Sequence, residues 1–436
     1  MTVRTVIIGA GVTGASCARH LAGVDELVVL DTRDTPPGRE ALAACGADLL
    51  TGVARYDFSG ADRVVVSPGV ALDACLVRQA RSAGVPVMGD IDLFFEAARA
   101  PVLAVTGTNG KSTVVSMAAA MLQAHGLNAV AGGNLGEAAL DLLQHERQAY
   151  VLELSSFQLE RLGAHRRASA AFLNVSDDHL DRHGDMAAYV AAKQHVYDGA
   201  RVCIWNRHDP RTRPVHADNA ELVSFFVDAP PGEADWGIER DMFVHGGEQL
   251  LPVDDLQLPG THNQANFLAA CALVHPLGVT RDALASVAAS FAGLPHRVEL
   301  VAEIDGVRYI NDSKATNVGA TLAAVQGVAA SLADGARVVL IAGGEGKGAD
   351  FSPLAVLEEL RHVVLIGRDA PLLEAAFAGV TSQRAASMAA GVQAARAVAR
   401  KGDVVLLAPA CASFDMFDNF EARGRAFAQA VLEMQA

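Results

Sequence analysis

The chain has 436 residues, 51% hydrophobic and 19% charged, with a formal net charge of −15. At roughly 100–200 residues per domain this length holds two to four domains, and the composition excludes a disordered chain. The acidic balance argues against a nucleic-acid partner, because phosphate backbones attract basic surfaces; nucleotides stay open, since local loops hold them.

RTVIIGAG reads as a strand running into a glycine turn and a helix. Gly9, Gly11 and Gly14 form GxGxxG there, and Asp31 closes the next strand, ELVVLDTR, about 20 residues on. Alone this is a dinucleotide fingerprint, which makes an NAD(P)-dependent oxidoreductase a rival reading. The turn itself asks only that a phosphate or diphosphate approach the helix start, and a UDP-linked ligand meets that equally. RVVVSPG is the next expected strand. VLAVTGT then leads into TGTNGKST (106–113) and the helix-like VVSMAAAML. Strand, glycine loop and helix are the context of a phosphate loop. Its backbone N–H groups cradle phosphate oxygens, Lys111 neutralises the β/γ charge and Ser112 reaches Mg²⁺. The spacing is a short GxxGKS, with Val105 where the first glycine of GxxxxGK[ST] would stand.

AYVLELS and AAFLNVS continue the strand pattern. Residues 205–255 are more irregular and rich in Asp, Pro and Gly; RVVLIAGG, VVLIGR and DVVLLAPA resume it. Apolar strands separated by helices predict an α/β protein with parallel sheets covered on both faces. Three domains are expected, at 1–92, 93–295 and 296–436. The six cysteines form no CxxC pair or metal-knuckle spacing and read as reduced thiols. No signal-peptide layout opens the chain, and no apolar run approaches the roughly 18 residues of a membrane span. A cytoplasmic location is expected.

Beyond the phosphate loop, LELSSFQLE (152–160), LNVSDDHLDRH (173–183), YVAAKQHVY (189–197), GTHNQANFLAA (260–270), GLPHRVE (293–299), NDSKATN (311–317), GGEGKGADF (343–351) and PACASFDMFDNFEARG (409–424) occur in order. With TGTNGKST they resemble the Mur ligases of peptidoglycan synthesis across nearly the whole chain, and the glutamate-adding members most. The resemblance implies an N-terminal Rossmann-like UDP-binding domain, a central ATPase domain and a C-terminal Rossmann-like domain that binds the amino acid. It implies ATP, two Mg²⁺ ions and a monomer. The implied substrates are UDP-N-acetylmuramoyl-L-alanine and D-glutamate, joined through an acyl phosphate.

Residue roles follow by the same resemblance. Gly107, Thr108, Asn109, Gly110, Lys111, Ser112 and Thr113 hold the ATP phosphates, and Glu153 binds the first Mg²⁺ with Ser112. His179 and Lys193 bind the second, Lys193 after carbamylation by CO₂; without the motif, Lys193 reads as a surface lysine on a helix. Lys111, Glu153, His179 and Lys193 form the catalytic set. Asn134 lies near the reacting phosphate. Asn263 and Asn266 match the adenine-side and hinge-proximal residues, Arg297 the ATP phosphates and Asp312 the ribose. Closure of the C-terminal domain is therefore implied. Val12, Thr13, Asp31, Thr32, Arg33, Ser67 and Gly69 match the UDP site. Lys314, Thr316, Lys347, Ser413, Phe414 and Phe420 match the glutamate pocket, whose cations and hydroxyls suit a dicarboxylate.

Phe414, Asp418 and Glu345 depart from the commoner leucine, lysine and aspartate, which leaves amino-acid selectivity open. A related ligase adding another amino acid, L-glutamate included, is the second reading. The oxidoreductase leaves the second phosphate loop and NDSKATN without a role.

Overall fold

The computed structural model describes residues 2–217 and 219–434. Its strands form three sheets among the described residues. The first contains β1 (Arg4–Ile8), β2 (Glu26–Leu30), β3 (Asp48–Leu50), β4 (Arg63–Val66) and β5 (Val87–Met88). It is all parallel in the order β3-β2-β1-β4-β5. Strand order reverses between β1 and β4, so the loops after these neighbours flank a crevice at their carboxyl ends, the usual ligand position in such sheets.

The second sheet contains β6 (Val102–Thr106), β7 (Ala129–Gly133), β8 (Ala149–Glu153), β9 (Ser169–Phe172), β10 (Val202–Asn206), β11 (Glu221–Phe225), β12 (Trp236–Glu239), β13 (Met242–His245) and β14 (Glu248–Pro252). Their order is β14-β13-β12-β11-β10-β9-β6-β8-β7. Residues 205–255, expected to be irregular, instead extend this sheet, ending in the antiparallel turns of β12, β13 and β14. β11 and the edge strand β14 are each about half exposed, so no continuous apolar run marks them.

The third sheet contains β15 (Glu299–Ile304), β16 (Val307–Asn311), β17 (Val338–Gly343), β18 (Leu360–Ile366), β19 (Ser382–Arg384) and β20 (Val404–Leu407), in the order β15-β16-β20-β17-β18-β19. Only the β15/β16 pair is antiparallel. Alternate residues divide between two cores: Val338, Leu340, Val404 and Leu406 lie on one face, Val339, Ile341, Val405 and Leu407 on the other. Both faces are thus covered, as the unbroken apolar strands predicted. Truncating one such residue, Leu340 for instance, costs about 2–5 kcal/mol.

By compactness the chain forms two units. One comprises Met1–Val175, Ala187–Leu256 and Gln264–Ser290, and the other Ser176–Met186, Gln257–Asn263 and Phe291–Ala436. Among the described residues no helix is long and apolar enough to cross a membrane.

Candidate active site

In the first unit the parallel register aligns Val105 with Glu153 and Gly133 with Glu153. The phosphate loop after β6, Glu153 at the end of β8 and Asn134 after β7 therefore emerge side by side. Glu153 is 2% exposed. Its Oε2 accepts from the Ser112 hydroxyl at 2.5 Å and its Oε1 from Asn134 Nδ2 at 2.8 Å. Two oxygen-bearing side chains thus converge beside the loop. That donor set fits Mg²⁺, which takes one or two carboxylates together with substrate phosphates. Among the described residues no group of three or more His, Cys, Asp and Glu is gathered to hold a metal.

The helix Lys111–Ala124 begins at Gly110 with φ +82. A Cβ at Gly110 would stand 2.5 Å from Asn266 Oδ1, so glycine there admits the close approach of Asn266. Ser112 and Thr113 lie buried in the first turn. Lys111 Nζ reaches back over the loop, donating to the carbonyls of Gly107 at 2.9 Å and Thr108 at 2.8 Å. The Thr108 hydroxyl meets that of Tyr189 at 3.3 Å.

Lys193, on the helix Met186–Gln194, is 1% exposed rather than on the surface. Its Nζ donates to the Gly107 carbonyl at 2.8 Å and lies 4.7 Å from the Tyr189 ring centre. The structure adds Asn174, which the sequence did not single out. Its carbonyl accepts from Thr108 N at 3.0 Å, its Oδ1 from Asn109 N at 2.9 Å, and its Nδ2 donates to the Asn109 carbonyl at 3.0 Å. The loop is therefore held from β9 as well as from its own strand.

At the first sheet's crevice, the helix Val12–Leu21 starts with Val12 75% exposed. A Cβ at Gly14 would stand 1.9 Å from the Gly9 carbonyl, which only glycine allows. Ser67 Oγ donates to that same carbonyl at 3.0 Å, while Gly69 and Thr32 are exposed beside it and Thr13 is half-buried. Buried Asp31 accepts from Ala10 N at 2.8 Å and from both arms of Arg33 at 2.9 and 2.7 Å. The Arg33 hydrogen bonds, helped by those backbone amides, hold its carboxyl at about 2. Arg33 thus enters the site already paired.

In the second unit β16, β20 and β17 are neighbours. Their carboxyl ends deliver Asp312, Lys314 and Thr316, then Ser413, Phe414 and Phe420, then Lys347. Lys314 Nζ lies 4.0 Å from the Phe420 ring centre. Thr316 N donates to the Lys314 carbonyl at 2.7 Å. Ser413 is buried and Phe414 is 68% exposed. Lys347 adopts φ +52, with its Nζ 3.8 Å from Asp178 Oδ1. His179, at φ +56, places its Nε2 3.6 Å from Asp178 Oδ2, so Asp178 stands close to both side chains. Asn263, at the start of the helix Thr261–Val274, donates from Nδ2 to the Pro259 carbonyl at 2.8 Å.

Burial raises the Asp312 carboxyl to about 7, opposed by Arg297 and the Val298 amide. His296 and Val298, on either side of Arg297, both have positive φ. For β-branched Val298 that backbone is strained. Arg423, quoted within a motif but given no role by the sequence, is 1% exposed. Its guanidinium donates to the Ser313 hydroxyl and carbonyl and to the Cys411 carbonyl at 2.8–3.0 Å, tying the loops after β16 and β20 together.

Three family profiles match: the Mur ligase MurD-like N-terminal domain over 3–89, the Mur ligase middle domain over 105–274 and the Mur ligase glutamate ligase domain over 296–411. The chain is 46% identical to the UDP-N-acetylmuramoylalanine–D-glutamate ligase of Chromohalobacter salexigens, covering 98% of this chain and 96% of that one. It is 45% identical to the enzyme of the same name from Nitrosococcus oceani, covering 99% and 96%. Among solved structures, the UDP-N-acetylmuramate-alanine ligase of Thermotoga maritima aligns with a TM-score of 0.64 at 19% identity, over 99% of both chains. A pseudomurein peptide ligase type C from Methanothermus fervidus also aligns at 0.64, with 17% identity over 99% of this chain and 100% of that one. On these matches, and on the phosphate loop with its buried Ser112–Glu153 pair, the chain belongs to the Mur ligase family.

Proposed function

We propose that this ATP-dependent ligase adds D-glutamate to UDP-N-acetylmuramoyl-L-alanine, a cytoplasmic step of peptidoglycan precursor synthesis. The observation carrying it is the Ser112–Glu153–Asn134 cluster against the phosphate loop, in a chain whose close relatives bear that enzyme's name. Residues 1–92 take the UDP handle, 93–295 take ATP and 296–436 take the amino acid.

The substrate's alanyl carboxylate attacks the γ-phosphorus of ATP, ADP leaves, and an acyl phosphate forms. The glutamate amine then attacks the acyl carbon and loses a proton, and phosphate departs. Little covalent work falls to the protein, which positions the reactants and neutralises charge. Lys111 and the amides of 107–113 hold the triphosphate. Ser112 and Glu153 would hold one Mg²⁺, and His179 with a carbamylated Lys193 the other, supplying charge stabilisation at the phosphate oxygens. By the same resemblance Arg297 is assigned to the ATP phosphates, Asp312 to the ribose, and Asn263 and Asn266 to the adenine-side and hinge-proximal positions. Lys314, Lys347, Thr316 and Ser413 bind the glutamate carboxylates, with Phe414 and Phe420 in the same pocket.

The carbamate reading of Lys193 rests on its burial beside Gly107: an amine stripped of water favours its uncharged form, which adds CO₂ and releases a proton. Lys193→Ala is expected to abolish turnover, with partial recovery on adding a short carboxylate. Full activity in that variant without any additive would remove the carbamate. The reaction itself is tested by phosphate release from ATP with UDP-N-acetylmuramoyl-L-alanine plus either D- or L-glutamate. Release with D-glutamate alone is expected. No release with either isomer refutes the ligase reading, and release only with L-glutamate corrects the stereochemistry.

A further inference from the structure

Beyond Glu153 the chain makes a short helix, Ser156–Leu159, closed at its start by a reciprocal Ser155–Gln158 capping box. The next turn carries Arg161, whose side chain is 3% exposed. Its Nη1 donates to the carbonyls of Val66 at 3.2 Å and Ser67 at 2.9 Å. Its Nη2 donates to Val70 O at 3.0 Å, more weakly to Pro68 O at 3.4 Å, and to Glu160 Oε1 at 2.8 Å. Its Nε holds the Phe157 carbonyl at 2.8 Å. One guanidinium therefore gathers the carbonyls of the loop that follows β4.

That gathering orients the loop. In a trans peptide the N–H points away from the preceding carbonyl. Turning the Pro68 carbonyl toward Arg161 turns the Gly69 amide the other way, and Gly69 is exposed. The loop lies beside the GxGxxG turn at the first sheet's switch point, where a ligand is expected. Arg161 stands eight residues after Glu153, so one side chain links the loop after β4 to the segment that follows the strand ending in Glu153. Glu160 supplies the counter-charge that a buried guanidinium requires. The Arg161 stem packs over Gly89, where an added Cβ would stand 3.0 Å from Cγ.

We propose that Arg161 is a positioning residue for the UDP handle: it fixes the 66–70 loop so that the Gly69 amide faces the ligand. The inference rests on the ligase reading above. A lysine at this position keeps the charge, but its donors sit on one nitrogen and cannot reach all the carbonyls that the guanidinium fork spans.

The test compares wild type, Arg161→Lys and Arg161→Ala by steady-state kinetics, by calorimetric binding of UDP-N-acetylmuramoyl-L-alanine and of ADP, and by thermal melting. A control, Arg207→Met, removes another carbonyl-binding arginine, one that holds the β11–β12 region. Both Arg161 variants are expected to raise KM and Kd for the UDP substrate about ten-fold while ADP affinity holds within about two-fold. Millimolar guanidinium should partly restore Arg161→Ala. Arg207→Met should lower the melting temperature without that split. Unchanged UDP-substrate affinity in both Arg161 variants overturns the proposal. So does a parallel loss of UDP-substrate and ADP affinity accompanying the fall in melting temperature, which marks a merely structural role. Wild-type protein that binds no UDP substrate and releases no phosphate refutes the ligase reading instead, and the positioning role with it.

Discussion

The Glu153 carboxylate is oriented by two donors, Ser112 on Oε2 and Asn134 on Oε1. Those bonds aim the carboxylate beside the phosphate loop, where a metal ion could meet it. Asp31 is paired with a cation: Arg33 neutralises it directly, and its carboxyl lies at about 2 against an ordinary 3.8. A depressed carboxyl stabilises the fold above the unfolded value and loses that contribution as pH falls through the folded one. Asp31→Asn should cost about 1–2 kcal/mol near neutrality, after screening of the half-exposed Arg33. The gap between variant and wild type in urea denaturation should close as pH drops from about 4 to 2. A gap that ignores pH over that range would contradict the pairing.

At the scale of elements, Asn174 braces the phosphate loop from the strand beside it. Asn174→Ala removes both side-chain bonds to Asn109 and is expected to raise KM for ATP about ten-fold, with kcat far less affected. An unchanged KM for ATP would show that β6 and its helix hold the loop unaided. The sequence made β1, β2, β4, β6, β8, β9, β17, β18 and β20 readable, because each is a nearly unbroken apolar run. It did not reveal β7, which is small and glycine-containing, or β19, a polar edge strand, or the half-exposed strands of 205–255. The phosphate loop and the glycine turn were legible because their chemistry sits in contiguous residues. Asn174, Arg161 and Arg423 were not. Their partners lie 65, 91–95 and 110 residues away for the bonds that matter most, and no local pattern announces a side chain whose task is to gather distant carbonyls.

Across the whole molecule each sheet repeats one arrangement: parallel neighbours carry their candidate residues on loops at the carboxyl ends. The first sheet does so at β1 and β4, the second at β7, β8, β6 and β9, and the third at β16, β20 and β17. This accounts for a chain that carries both a GxGxxG turn and a GxxGKS loop at the ends of parallel strands. The first turn suits a diphosphate handle, and the second, with Ser112 and Glu153, suits phosphoryl transfer. The central claim is that this transfer ends on the substrate's own carboxylate. It is tested by supplying UDP-N-acetylmuramoyl-L-alanine labelled with ¹⁸O in the alanyl carboxylate, together with ATP and D-glutamate, and weighing the phosphate released. Phosphate carrying ¹⁸O is expected, because the bridging oxygen of an acyl phosphate leaves with phosphorus. Unlabelled phosphate released while the amide forms, or label recovered in AMP, would contradict the account.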